Sequence, residues 1–286
     1  MKRFAGVLLL ALWTLGPVAA AEAQGTLQKI RSTGAITIGY RDSSVPFSFV
    51  GADRSPTGYS IDLCRQVVGA LQQSLGLANL SIKWVSVTPE SRIGAVASGS
   101  VDLECGSTTH TLSRQEQVDF SLMTFVDGGS LLVTTASGIK SVGDLPGKRL
   151  AVVPGTTTEK ALADWFRANG VRGVTVSNVK EHVDGLAGLD NGTLDAYASD
   201  RVILFGLATN SKDSSKLTLF QDYFSYEPYA LMLRRDDPAF RLAVDRALAA
   251  LYRSRTVIPI YEKWFGPINR SPSILQALYL LNALPE

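Results

Sequence analysis

Little in this 286-residue sequence suits metal or nucleophilic chemistry: it holds two cysteines, Cys64 and Cys105, and two histidines, His110 and His182. Neither cysteine belongs to a CxxC pair, so neither a zinc ribbon nor a dithiol redox centre is expected. The HExxH, GxSxG, Walker A and GxGxxG patterns are missing, which removes the commonest signatures of metalloproteases, serine hydrolases, nucleotide hydrolases and dinucleotide enzymes. No metal and no cofactor is expected. Charge of one sign is also lacking: 28 basic against 26 acidic residues give +2, too even a balance to imply nucleic acid or a membrane surface as partner.

The one concentrated apolar run, Ala5 to Leu15, is too short to span a bilayer. Lys2 and Arg3 precede it, and small residues lead to Ala21-Glu22-Ala23. That order is a secretory signal peptide with an A-x-A type cleavage site. Residues 1–23 are therefore expected to be removed, leaving an exported, soluble chain that starts near Gln24. No cysteine lies near the cleavage site, so a lipid anchor is not expected. The remaining chain has 26 basic and 25 acidic residues, and its length suits one large or two medium domains. In an oxidising compartment Cys64 and Cys105 suggest one disulfide; two buried thiols are the alternative, and spacing alone leaves both open.

Strand-like and helix-like stretches alternate, which predicts an α/β architecture with mainly parallel sheets. Strands are expected at Ala35–Gly39, Ser81–Val87, Val101–Cys105, Arg149–Val153, Val174–Val176, Leu194–Ala198 and Tyr229–Leu233. Leu63, Val67, Leu71 and Leu75 form one helical stripe. Further helices are expected at Arg92–Ser98, Glu159–Asn169, Asp184–Leu189 and Phe240–Tyr252, with another ending at Trp264. The two halves echo each other faintly. Ser98-Gly99-Ser100-Val101-Asp102-Leu103 matches Asn191-Gly192-Thr193-Leu194-Asp195-Ala196, and GAITIGYRDSS matches GKRLAVVPGTTTE. Two related lobes are the expected outcome.

Polar loops follow four of these strands: Arg41–Ser44, Ser107–Arg114, Gly155–Glu159 and Ser199–Arg201. In open α/β sheets such strand ends line the ligand crevice. Their chemistry suits a zwitterion. Arg114 offers a fork for a carboxylate, with Ser107 and Thr109 beside it. Thr156 and Thr157 open a helix whose N–H groups suit an anion. Asp200 suits an ammonium, and Arg41 and Arg92 remain for a negatively charged side chain. Each residue also has a plainer reading: Arg114 as a solvated helix start, Thr156 as an N-cap with Glu159 as its partner, and the histidines as surface residues.

The stretches GYRDSSVPFSF, DLECGSTTHTLSRQEQVDFS and VVPGTTTE, with GYSIDLCRQVV, LRRDDPAF and YEKWF, resemble the periplasmic solute-binding proteins of polar amino acid ABC transporters, bacterial extracellular family 3. The glutamate/aspartate branch is the most similar. The resemblance implies a type II clamshell with two lobes, a parallel-rich central sheet in each and two crossover strands. The first lobe would comprise residues 24–130 and 228–286, and the second 131–227. It implies Ser107, Thr109 and Arg114 for the α-amino and α-carboxylate groups, Thr156 and Thr157 from the second lobe, and Asp200 for the ammonium. Arg41, Arg92 and His182 match positions that contact a side-chain carboxylate. Location in the periplasm, L-glutamate or L-aspartate as ligand, an inner-membrane ABC permease as partner and a monomeric state follow from the same resemblance. The competing expectations are a receptor for a neutral amino acid such as glutamine and an exported dehydratase of the same fold, with Glu104 as the nearest candidate acid.

Overall fold

Apolar β-branched runs and amphipathic helices alternate through the chain, and the computed structural model sorts them into two α/β lobes; it describes residues 25–266 and 272–286. The signal peptide expected at residues 1–23 lies outside these. The strands are β1 (Ala35–Tyr40), β2 (Ser43–Ser44), β3 (Ser48–Val50), β4 (Pro56–Thr57), β5 (Ser81–Ser86), β6 (Leu103–Glu104), β7 (Val118–Asp127), β8 (Gly129–Thr134), β9 (Arg149–Val152), β10 (Thr175–Asn178), β11 (Ala196–Asp200), β12 (Leu217–Leu219) and β13 (Glu227–Arg234). The helices are α1 (Thr26–Thr33), α2 (Tyr59–Ser74), α3 (Arg92–Ala97), α4 (Leu112–Gln115), α5 (Thr157–Ala168), α6 (His182–Asp190), α7 (Arg201–Ala208), α8 (Pro238–Arg253), α9 (Val257–Phe265) and α10 (Ser273–Asn282).

The two main sheets have five strands each, ordered β5-β1-β6-β13-β7 and β10-β9-β11-β8-β12. In the first, β13 is antiparallel to both neighbours while the other four strands run one way. In the second, β8 is the reversed strand. Each reversed strand is the first that the chain lays down after crossing from the other lobe. The crossings run through Gly128, between β7 and β8, and through the segment that joins β12 to β13. A small three-stranded sheet, β2-β3-β4, completes the first lobe; its strands of two or three residues are too short to carry a periodic apolar signal.

The sequence echo has a structural counterpart. β1 and β9 stand second in their sheets, and β6 and β11 stand third. Asp102 donates its N–H to Thr37 O (2.9 Å) while its Oδ2 accepts from Thr37 N (2.8 Å). Asp195 makes the same pair of bonds to Arg149, both at 2.8 Å. The glycine three residues earlier, Gly99 or Gly192, has φ of +75° or +71° and closes the preceding helix, a conformation that a side chain would strain. The strand β6 itself is limited to Leu103 and Glu104, shorter than its apolar run predicts, although Asp102 N and Cys105 N on either side also bond to β1.

The largest buried cluster packs α2, α8, α9 and α10 on the first sheet and continues into the second lobe, where it includes Leu186 and Leu189 of α6 and Ile203, Leu204 and Leu207 of α7. Leu63, Val67 and Leu71 bury the inner stripe of α2, and Phe47, Tyr59, Phe125, Tyr229 and Phe265 form an aromatic cluster. Phe47 meets Tyr229 edge-on at 5.0 Å, a favoured aromatic geometry. A disulfide joins Cys64 in α2 to Cys105 just after β6, with Cα atoms 6.4 Å apart. It fastens the helix to the strand that delivers the Ser107–Thr109 loop. Closing a loop across 41 positions restricts the unfolded chain by about 2–5 kcal/mol. The Cys64→Ser/Cys105→Ser protein is expected to melt roughly 5–15 °C below the oxidised parent, and dithiothreitol should lower the parent's Tm alike. Equal melting temperatures for the oxidised and doubly substituted proteins would contradict this role.

Candidate functional site

The loops at the carboxyl ends of β1, β6, β9 and β11 converge between the lobes. They enclose a cavity of about 20 Å³ lined by Arg41, Arg92, Ser107 and Thr109 from the first lobe. Thr156, Thr157, Thr158, His182, Ser199, Asp200 and Ile203 line it from the second. Eight of the nine residues that the sequence singles out for binding are thus brought together. Arg114 is not in the lining: it donates to Thr109 O (2.8 Å) and to Gly155 O (3.4 Å), joining the two lobes. His110 lies outside the cavity, stacked on Phe120 at 4.5 Å. A larger cavity of about 1080 Å³ lies between α8, α9 and α10. Its wall is chiefly apolar and aromatic, and it contains none of the buried unpartnered polar atoms that distinguish the interlobe site.

Three guanidinium groups are buried here: Arg41, Arg92 and Arg114 are 1%, 3% and 7% exposed. Charges at such depth require partners. Arg41 Nη2 pairs with Glu181 Oε2 across the cleft at 2.8 Å, and Ser43 Oγ donates to the same oxygen at 2.8 Å. Arg92 Nη1 donates to Thr108 Oγ1 (2.8 Å), which donates onward to Glu104 Oε2 (2.7 Å). The Nε atoms of Arg41 and Arg92 have no hydrogen-bond partner, nor has Glu104 Oε1. Burial, then the neighbouring Arg114 charge, brings the Arg92 pKa down to about 9. Burial, followed by Arg41 and Arg92, holds the His182 imidazole well below its ordinary range, so it is neutral at pH 7. Its Nδ1 lies 2.7 Å from the Tyr197 hydroxyl.

The acidic side of the site is equally buried. Asp200 accepts from Thr158 Oγ1 (2.8 Å) and from the Tyr229 hydroxyl. Burial, then the Glu227 charge, pushes its pKa up to about 6. Asp127 is also driven well above the usual carboxylate range, by burial and then by Asp200. Glu227 Oε2 accepts from Thr109 and Thr157, each at 2.6 Å, and its Oε1 accepts from Ser225 at 2.6 Å. Thr156 caps α5, accepting from Glu159 N (3.1 Å), so the plainer reading of its side chain holds even though it lines the cavity.

Sequence reasoning missed Glu181, Thr108, Glu227 and Tyr229. Glu181 precedes His182 at the N-cap of α6 and is visible only as one acid in a polar turn. Glu227 and Tyr229 reach the site because β13 returns between β6 and β7, a pairing no local pattern encodes. The lobes also meet at Gly206 of α7, where an added Cβ would lie 2.8 Å from Val45 O of the first lobe.

Residues 36–267 match the profile of the bacterial extracellular solute-binding proteins, family 3. The chain is similar to the L-glutamate/L-aspartate-binding protein of Pseudomonas aeruginosa, 40% identical over 87% of this chain and 82% of that one. It is 35% identical to the glutamate/aspartate import solute-binding protein of Salmonella typhimurium, over 86% and 81% of the two chains. Among solved structures, an ancestral arginine-binding protein bound to glutamine superposes with a TM-score of 0.71 at 27% identity, covering 82% of this chain and 98% of that one. An ancestral amino acid-binding protein described as a precursor of cyclohexadienyl dehydratase gives 0.71 at 26% identity, over 84% and 99%.

Two outcomes follow from the geometry. Gly206→Ala is expected to hold the lobes apart without harming α7, since alanine favours a helix over glycine by about 1 kcal/mol. Small-angle scattering should then show a larger radius of gyration than the parent's, and an unchanged radius would count against the contact. Asp200, with a folded-state pKa of about 6 against an ordinary 3.8, binds its proton more tightly in the folded state. Its contribution to stability is therefore greatest below pH 4 and declines as pH rises from 4 to 6. Asp200→Asn cannot ionise, so its Tm relative to the parent's should improve across that window by the equivalent of about 1–3 kcal/mol. A difference independent of pH would refute the assignment.

Proposed function

The chain belongs to the bacterial extracellular solute-binding proteins, family 3, and from that premise we propose that it is a periplasmic receptor for L-glutamate or L-aspartate. It captures the amino acid by lobe closure and delivers it to an inner-membrane ABC permease. Relatives at 35–40% identity carry glutamate/aspartate-binding names. The observation that carries the reading is the pair of buried, unpartnered Nε–H groups on Arg41 and Arg92 in a cavity shared with Asp200. A distal carboxylate supplies both the missing acceptors and a charge beside Arg92, which reaches its nearest acid only through a hydroxyl; a neutral side chain supplies no such charge.

In this reading Arg41, Arg92 and His182 take the side-chain carboxylate. A neutral His182 whose Nδ1 accepts from Tyr197 keeps its hydrogen on Nε2, where it donates to that carboxylate. Arg114, Ser107 and the N–H groups at the start of α5 take the α-carboxylate, and Asp200 with Thr109 takes the α-ammonium. A cavity of about 20 Å³ has room for roughly one water. Entry of an amino acid therefore requires the lobes to part, bending at the two crossings, and ligand contacts to both lobes then favour closure. The protein's own groups satisfy one another across the cleft, and the ligand exchanges with them. The reading as a receptor rather than a dehydratase is supported by Glu104, whose carboxyl lies outside the cavity lining and is engaged by Thr108.

Micromolar affinity corresponds to about −8 kcal/mol. At millimolar ligand, L-glutamate or L-aspartate should stabilise the purified protein by about 4 kcal/mol and raise Tm by roughly 5–15 °C. Arg92→Met is expected to weaken glutamate binding by roughly 100-fold, about 2.7 kcal/mol, while weakening any residual glutamine binding far less, as measured by calorimetry. A thermal shift with neutral amino acids and none with either acidic one would overturn the proposal.

A further inference from the structure

Glu227 is the first residue of β13, on the returning crossing, and it pairs in register with Asp127 at the end of the outgoing strand β7. It is 1% exposed, carries no ion-pair partner among the described residues, and receives three hydroxyls. Two of them, from Thr109 in the first lobe and Thr157 in the second, converge on one oxygen, Oε2, at 2.6 Å each. A threonine hydroxyl has a single hydrogen. With that hydrogen given to a carboxylate, in a short charge-assisted bond, the oxygen has only lone pairs left to offer. The two threonine oxygens lie 3.1 Å apart, and both line the cavity. Neither has a hydrogen left for the other. Asp200 stands in the same wall as a further acceptor, its carboxylate oxygens already receiving Thr158 and Tyr229.

We propose that Glu227 is a positioning residue that fixes the Thr109 and Thr157 hydroxyls as acceptors, so that this end of the cleft demands a ligand with a protonated amine. The inference rests on the acidic amino acid reading and deepens it. An array of acceptors without donors favours an ammonium, leaves a methylene or a keto oxygen unmatched, and lets a hydroxyl, with its single hydrogen, satisfy only one acceptor. The site would thereby reject dicarboxylates that lack the amine, although Arg41, Arg92 and Arg114 could satisfy both of their carboxylates. Discrimination of this kind is strong because buried polar groups are left unpaired by the wrong ligand.

The test compares L-glutamate with glutarate, the same five-carbon dicarboxylate without the amine, by calorimetry on the purified chain. The parent is expected to bind glutamate at least 100-fold more tightly than glutarate. Glu227→Met removes the common acceptor and frees both hydroxyls to donate. It should cost glutamate at least tenfold while moving glutarate less than threefold. Glu227→Gln, whose carbonyl oxygen accepts the same two hydroxyls, should recover most of the lost discrimination. Should the Met variant fail to fold, Thr157→Val, which deletes one oriented acceptor and leaves Glu227 in place, is expected to reduce the same ratio. A parent that binds glutamate but shows equal losses for both ligands in these variants overturns the positioning role. A parent that binds no glutamate instead overturns the functional reading on which it rests.

Discussion

Three arginines buried within one interlobe cleft impose the constraint around which the molecule is organised. A guanidinium removed from water must find acceptors or charge, and Arg41, Arg92 and Arg114 find them in different ways. Arg41 reaches an acid on the opposite lobe, Arg92 a hydroxyl relay to Glu104, and Arg114 two backbone carbonyls. The lowered pKa of Arg92 and the neutral His182 follow from this burial and crowding, whereas Asp200 is raised by its own burial and by Glu227, against the pull of Arg92. A pocket built this way is matched by a ligand that carries charges of both signs and places them at defined ends.

The scaffold delivers these groups through a repeated plan. In each lobe the second and third strands of the sheet end in site loops, and an aspartate bonded to the neighbouring strand precedes the third. The aromatic cluster of the first lobe is continuous with the site, because Tyr229 packs on Phe47 and also donates to Asp200. Core packing and ligand recognition therefore share a side chain. The disulfide adds a covalent tie on the first-lobe side, between α2 and the stretch leading to Ser107.

Much of this was legible in the sequence, and the reasons are physical. Strand-then-polar-loop units advertise themselves through local composition, so Arg41, Ser107, Thr109, Thr157 and Asp200 could be picked out and do meet around one cavity. Long amphipathic stretches such as α2 and α8 were likewise visible through their spacing. The short strands β2, β3 and β4 were not, since runs of two or three residues are too short to show a period. Pairing was the deeper loss. Nothing local says that Arg41 will find Glu181 about 140 positions away, or that β13 will insert between β6 and β7 and bring Glu227 with it. Arg114, picked out by its residue type, is bonded here to backbone carbonyls of both lobes, a connection between lobes that no local pattern encodes.

The placement of β13 also bears on how the molecule is made. The strand sits inside the first sheet but is encoded after the whole of the second, so a growing chain can complete its second lobe while the first still lacks an interior strand. Domains generally assemble as units during synthesis, the earlier one first, but this strand order leaves the first sheet incomplete until the whole of the second has been encoded. Until β13 arrives, β6 and β7 face each other across an open slot with unpaired backbone edges, the kind of surface that invites wrong partners. The lobe that begins the chain is thus the one whose sheet can be completed last.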